Sequence, residues 1–280
     1  MSASSDLERK QAALAERLRD AGSVIVAFSG GVDSSYLAWA AHRALADRSL
    51  AVTAVSASYP ERHRRMAEQL VAEHGIPHRF VDTNELEREG YRRNAPDRCY
   101  HCKTELFEVL GRLRETLGFD HVAYGVNTDD LGDFRPGHRA ASERGALSPF
   151  LDVGLSKPEI RALSRTAGLP TADLPASACL SSRLAYGTEV TPERLRQIET
   201  GEERLFALGF REVRLRHHGA LARVEVGPSE LARALDPEMA RAIVAALKPL
   251  GFRWVSLDLE GYRTGSLNEA LSIRPLSAES

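Results

Sequence analysis

The chain has 280 residues, 43% hydrophobic and 27% charged, which excludes a disordered or fibrous polypeptide and suits one large domain or a large domain with a small companion. Its apolar runs fall far below the roughly 20 residues that cross a bilayer, and the charged start from Asp6 onward lacks the apolar stretch of a secretory signal, so a cytoplasmic protein with no membrane partner is expected. A formal charge of −2, from 37 basic and 39 acidic side chains, argues against a nucleic-acid binder, and 3 cysteines without an export signal do not make a disulfide framework.

Asp6 to Asp20 reads as an amphipathic helix with Leu7, Leu14 and Leu18 on one face. The period then changes. Ser23 to Phe28 is a short β-branched run of the kind buried on both faces of a parallel sheet, Ser29-Gly30-Gly31-Val32-Asp33-Ser34 follows at once, and Tyr36 to Leu45 is helical. The unit repeats as a strand over Leu50 to Ser56, a helix over Glu61 to His74 and a strand over His78 to Val81. A helix over Tyr100 to Leu117 and a strand over Asp120 to Gly125 follow. Such alternation predicts an α/β domain with a doubly wound parallel sheet, whose ligands sit at the carboxyl ends of the strands.

Ser156-Lys157-Pro158-Glu159 has the form of a capping box and opens a helix over Ile160 to Ala167. The stretch Pro175 to Thr188 is too irregular for an element and too particular for a linker. From Thr191 the pattern is helix, two strands, helix, strand. Within it Leu205 to Leu215 is echoed by Leu247 to Leu257, each copy a helix ending at Gly followed by an alternating strand. Two α-β halves of one small α+β domain are expected, giving domains over 1–185 and 186–280. His217 and His218 are expected at the surface.

Ser29 to Ser34 is the strongest chemical signal. Its glycines let backbone N–H groups approach an oxyanion, its serines add donors, and the helix behind contributes its positive end. The loop is neither a Walker A sequence nor a dinucleotide fingerprint. At the end of a later strand, Asn127, Asp129 and Asp130 suit a magnesium ion held between phosphates. Cys99 and Cys102 form a C-x₂-C pair at the spacing of zinc and iron–sulfur sites, and Cys179 is the third thiol. Three thiolates leave one position open on a cubane cluster, whereas structural zinc would recruit a fourth ligand such as His101. Ser182 and Arg183 place a hydroxyl and a guanidinium beside Cys179.

The Ser29 to Ser34 loop resembles the PP-loop of the ATP pyrophosphatases, which include GMP synthetase, NAD synthetase, argininosuccinate synthetase and tRNA thiolases. That resemblance implies a HUP-like fold and cleavage of ATP between its α and β phosphates. It assigns the pyrophosphate cradle to Ser29, Gly30, Gly31, Asp33 and Ser34, and the adenine side to the strand end around Ser56 and Ala57.

With Arg98 to Lys103, Asp133 to Gly137, Ala176 to Arg183, Tyr186-Gly187-Thr188 and Leu257 to Gly265, the chain resembles the LarE family along nearly its whole length. The resemblance implies ATP-dependent activation of the carboxylates of a pyridinium biscarboxylic acid mononucleotide and their conversion to thiocarboxylates, in the synthesis of a nickel-pincer nucleotide cofactor. It implies ATP and Mg2+ as cofactors, with Asn127, Asp129 and Arg135 near the nucleotide. Lys103 and Arg183 would steady anionic intermediates, while Glu202, Arg214 and Arg216 face the substrate. It also implies a homo-oligomer and contact with other enzymes of that pathway. Having all three cysteines, the chain is similar to the subgroup in which they bind a [4Fe-4S] cluster with a labile sulfide, rather than to the form that sacrifices a single cysteine, here Cys179. A tRNA thiolase of the same superfamily and a non-catalytic adenine-nucleotide-binding protein with structural zinc are the rival readings.

Overall fold

The computed structural model describes residues 3–132, 136–174 and 178–263. It divides into two units. One takes the chain as far as Arg88 and again from Asp97, and the other takes Glu89–Pro96 together with the chain from Ala178.

In the first unit four parallel strands, β1 (Val24–Ala27), β2 (Ser49–Val55), β3 (His78–Asp82) and β4 (His121–Tyr124), lie in the order β3-β2-β1-β4. Alternation along β1 explains the double winding. Val24 and Val26 join a buried cluster with Leu14 and Leu18 of helix α1 (Ala3–Asp20), Leu37 and Ala41 of α2 (Val32–Leu45), and Ala67 and Leu70 of α3 (Glu61–His74). Ile25 faces the other way, into a cluster with Phe107 and Leu110 of the helix Arg98–Leu117. Both faces are therefore covered by helices, as the continuous apolar strands require. Because β2 and β4 flank β1, the strand order reverses beside β1, and a switch point of this kind opens a crevice at the carboxyl ends of the strands. Among the described residues no helix is long and apolar enough to cross a membrane.

The second unit carries a three-stranded sheet in the order β5-β6-β7. The strands are β5 (Val213–His218), β6 (Leu221–Val226) and β7 (Trp254–Leu257); β5 runs antiparallel to β6, and β7 parallel to it. The sequence echo is visible here, since its two copies supply β5 and β7 on either side of β6. The helices before them, Pro192–Ala207 and Pro237–Leu247, run into glycines Gly209 and Gly251 with φ of +89° and +100°. One expectation fails. His217 is 3% exposed, bonds Gln197 through Nε2 and meets Phe252 edge-on, because it shares the alternating face of Val213 and Leu215 that packs into the core. His218 is exposed as expected.

A half-buried histidine gives the first unit a pH dependence. His78 on β3 lies edge-on to Phe28 and Phe80 and shares a 2.9 Å hydrogen bond with Thr53. Desolvation pushes its imidazole down to about 4, against an opposing pull from Glu68. The unfolded chain takes up this proton near pH 6.5 and the folded chain only near 4. Stability is thus complete above about pH 6.5 and falls as the pH drops toward 4, by no more than about 1.4 kcal/mol per pH unit for one proton. Denaturant unfolding at pH 7 and pH 5 should show this loss in the parent and a smaller loss in His78→Gln.

Candidate active site

The Ser29–Ser34 segment occupies the carboxyl end of β1, and α2 starts inside it at Val32, so Asp33 and Ser34 belong to the helix's first turn. The N-cap is Gly31, with no side-chain capping bond, which leaves first-turn N–H groups for an anionic ligand. The loop is closed on itself: Ser29 N–H donates to Ser34 Oγ at 3.1 Å, the two hydroxyls lie 3.0 Å apart, and Ser34 Oγ also donates to Gly31 O at 3.2 Å. Gly30 has φ of +76°, a conformation that costs a glycine nothing.

Two other segments converge on this loop. After β4, Asn127 is 1% exposed and donates from Nδ2 to Asp33 Oδ1 at 3.3 Å, while its own Oδ1 accepts the Asp129 N–H at 3.0 Å. From the helix Lys157–Thr166, Lys157 Nζ reaches Asp33 Oδ2 at 2.5 Å, and its backbone N–H donates to Asp129 Oδ2 at 2.5 Å. The capping box is present as expected, with Ser156 N–H donating to Glu159 at 2.8 Å; Lys10 braces the same carboxylate at 2.7 Å. Ser29, Gly30, Gly31, Asp33, Ser34, Asn127 and Asp129 are thereby brought together. Asp130 accepts the Asn127 N–H at 3.1 Å and shapes the turn. Arg135 lies outside the described residues.

Two residues of this site were not singled out from the sequence. Lys157 there reads only as the first helical residue after a cap. Gly125 reads as the end of a strand, yet a Cβ on it would stand 3.0 Å from Asp33 C and 3.1 Å from Ser34 N. Only a residue without a side chain lets β4 approach the turn of α2 this closely.

Ser56, at the end of β2, is placed in a different group: its hydroxyl donates to buried Glu85 at 2.5 Å. Cys99 is exposed and Cys102 half-buried, one turn apart at the start of the helix Arg98–Leu117, with Lys103 next to Cys102 and packed against Gly137. His101 pairs with Asp97 at 3.4 Å. Among the described residues no three His, Cys, Asp or Glu side chains gather in a way that would hold a metal ion.

The remaining candidates lie in the second unit. Cys179 is half-buried and caps a short 3₁₀ turn, Leu180–Arg183, in which Ser182 Oγ donates to Cys179 O at 2.8 Å. Arg183 grips Glu202 with both ends of its fork, at 2.9 and 3.1 Å, and donates to the carbonyls of Ala178 and Cys179 at 2.8 and 3.0 Å. Glu202 also accepts the Leu215 N–H at 3.0 Å. Arg216 forms a second fork, with Glu225 at 2.9 and 2.8 Å, and reaches Ser182 O at 2.9 Å. These contacts fix the turn that carries Cys179. Arg214 is half-buried with its guanidinium 4.8 Å over the Tyr262 ring, and desolvation pushes its pKa down.

Comparison with known proteins fits this geometry. Residues 8–107, which include the glycine loop, match the asparagine synthase family. Over 95% of its length the chain is 34% identical to the pyridinium-3,5-bisthiocarboxylic acid mononucleotide synthase of Lactiplantibacillus plantarum, covering 96% of that protein. The chain belongs to the LarE family. A Synechocystis protein described as uncharacterized is 40% identical over 95% of this chain and 99% of its own length. A component of the glutamine-hydrolyzing GMP synthase of Archaeoglobus fulgidus is 28% identical over 55% of this chain and 54% of its own. This LarE-family chain is therefore an ATP-using enzyme of the PP-loop superfamily.

Gly125→Ala should push the turn of α2 aside while leaving the sheet intact. Titration with Mg-ATP should show affinity about tenfold weaker or worse, with the apo unfolding midpoint little changed.

Proposed function

We propose that this enzyme uses ATP to activate the carboxylates of pyridinium-3,5-biscarboxylic acid mononucleotide and converts them to thiocarboxylates for a nickel-pincer nucleotide. The observation that carries the reading is the Ser29–Ser34 loop, closed by its own serines at the uncapped start of α2 and faced by Asn127 and Lys157. The Lactiplantibacillus relative is named for making a bisthiocarboxylic acid mononucleotide, and the corresponding biscarboxylic acid is the oxygen precursor of that product.

A carboxylate oxygen is a poor leaving group. In the proposed sequence it attacks the α phosphorus of ATP, the bond to the β-phosphate oxygen breaks, and pyrophosphate departs. The loop's N–H groups and hydroxyls take up the charge that builds on the leaving pyrophosphate. A sulfur nucleophile then attacks the acyl carbon and expels AMP. Magnesium suits the site because Asp129 has a second carboxylate oxygen beyond the one bonded to Lys157 N–H, and an ion that keeps water and phosphate ligands needs only one or two carboxylates.

Three thiols are a donor set for iron and sulfur, two of them a helical turn apart at Cys99 and Cys102. A [4Fe-4S] cluster held by Cys99, Cys102 and Cys179 would supply a labile sulfide. Lys103 and Ser182 flank these thiols in sequence, and Arg183 and Glu202 hold the Cys179 turn in position. Arg214, with Arg216 two residues on along β5, would meet the substrate phosphate. The protein works as a homo-oligomer in the cytoplasm, exchanging product with other enzymes of the pathway.

The test is the double variant Cys99→Ala and Cys102→Ala. Anaerobically purified parent should be brown, and the variant colourless; the variant should release pyrophosphate on adding ATP and substrate but fail to complete repeated cycles. A variant that turns over repeatedly would overturn the cluster reading. One that completes a single cycle and leaves dehydroalanine at position 179 by mass spectrometry would establish the sacrificial route.

A further inference from the structure

The nucleotide site leaves two groups of the first unit unexplained. The Glu85 carboxylate is 3% exposed, and among the described residues no basic side chain pairs with it. It is held instead by hydroxyls, accepting from Ser56 Oγ and Ser58 Oγ at 2.5 Å each and from Thr83 Oγ1 at 3.3 Å. A carboxylate buried without a cation is expensive, and an apolar side chain would fill the space at lower cost. What the arrangement provides is order in the short loop after β2. There the Ser56 and Ser58 hydroxyls lie 3.0 Å apart, and Tyr59 N–H donates to Ser56 O at 3.1 Å.

Tyr59 is the next residue. Its phenol donates to the backbone carbonyl of Ser29 at 3.1 Å, and burial pushes the phenol pKa up, so it stays a donor. In a trans peptide the carbonyl of one residue and the N–H of the next point in opposite directions within one plane. Tyr59 therefore fixes the direction of the Gly30 N–H, turning it away from the β2 loop. That control matters because Gly30, at φ of +76°, offers little resistance to rotation of the Ser29-Gly30 peptide. α3 limits movement as well, with Ala67 Cβ 3.5 Å and His63 O 3.7 Å from where a Gly30 Cβ would stand.

We propose that Tyr59, held in place by the Glu85–Ser56–Ser58 network, is a clamp that sets the Ser29-Gly30 peptide for binding the pyrophosphate part of the nucleotide. Tyr59 and Glu85 are then positioning residues, acting through the loop backbone. The clamp rests on the assignment of the Ser29–Ser34 loop to phosphate.

Calorimetric titration of the full chain with Mg-ATP and with Mg-pyrophosphate tests it. Tyr59→Phe should weaken both ligands by the same factor, about 2- to 12-fold for one lost hydrogen bond, with the apo unfolding midpoint unchanged. Glu85→Ala should act in the same direction and Glu85→Gln, which keeps an acceptor oxygen for the two serines, should stay near the parent. Because both residues act through one peptide, the Tyr59→Phe, Glu85→Ala protein should lose no more than the weaker single variant. Parent-like affinity in Tyr59→Phe would overturn the clamp, as would losses that multiply in the double variant. A parent that binds neither Mg-ATP nor Mg-pyrophosphate would overturn the phosphate assignment itself, and the clamp with it.

Discussion

The Asp33 carboxylate ties the catalytic unit together. It stands on the first turn of α2, takes a hydrogen bond from Asn127 after β4, and is paired with Lys157 at the start of the helix Lys157–Thr166. Three stretches of chain far apart in sequence meet on two oxygen atoms at the point where strand order reverses. The pair is partly open to water, so its direct contribution to stability is small. Its importance is positional. The loop's own carboxylate is already compensated, and its serine hydroxyls are held in place by one another.

The second unit fixes the turn that carries Cys179 by a different means. Arg183–Glu202 and Arg216–Glu225 are buried ion pairs whose remaining donors go to the carbonyls of Ala178, Cys179 and Ser182. Such pairs return little net stability against the cost of dehydrating two charges, and breaking one by removing a single partner is far more damaging. Here they specify the path of a turn that has almost no regular structure of its own. Arg183 and Arg216 thus form the scaffold of Cys179, while the Arg214 guanidinium stacks on the Tyr262 ring.

What was legible in the sequence was local. The doubly wound sheet follows from period and punctuation, and the glycine loop from a strand, a turn and a helix in immediate succession. The contacts that complete the site are not local. Nothing near Lys157 in the sequence points to Asp33, and a capping box accounts for its neighbours fully. Gly125 looks like any strand end until β4 is set beside α2. Tyr59 and Glu85 matter only because parallel pairing puts the ends of β2 and β3 side by side, Val55 against Asp82. His217 is legible by position, since it continues the Val213 and Leu215 alternation, although its polarity points to the surface.

Attack at the α phosphorus by a substrate carboxylate leaves a mark on the products. Turnover of ATP with the biscarboxylic acid mononucleotide labelled with oxygen-18 in its carboxylates, read by mass spectrometry and phosphorus resonance, should give unlabelled pyrophosphate and AMP that carries one labelled oxygen. ADP with inorganic phosphate, or AMP without the label, would rule this route out.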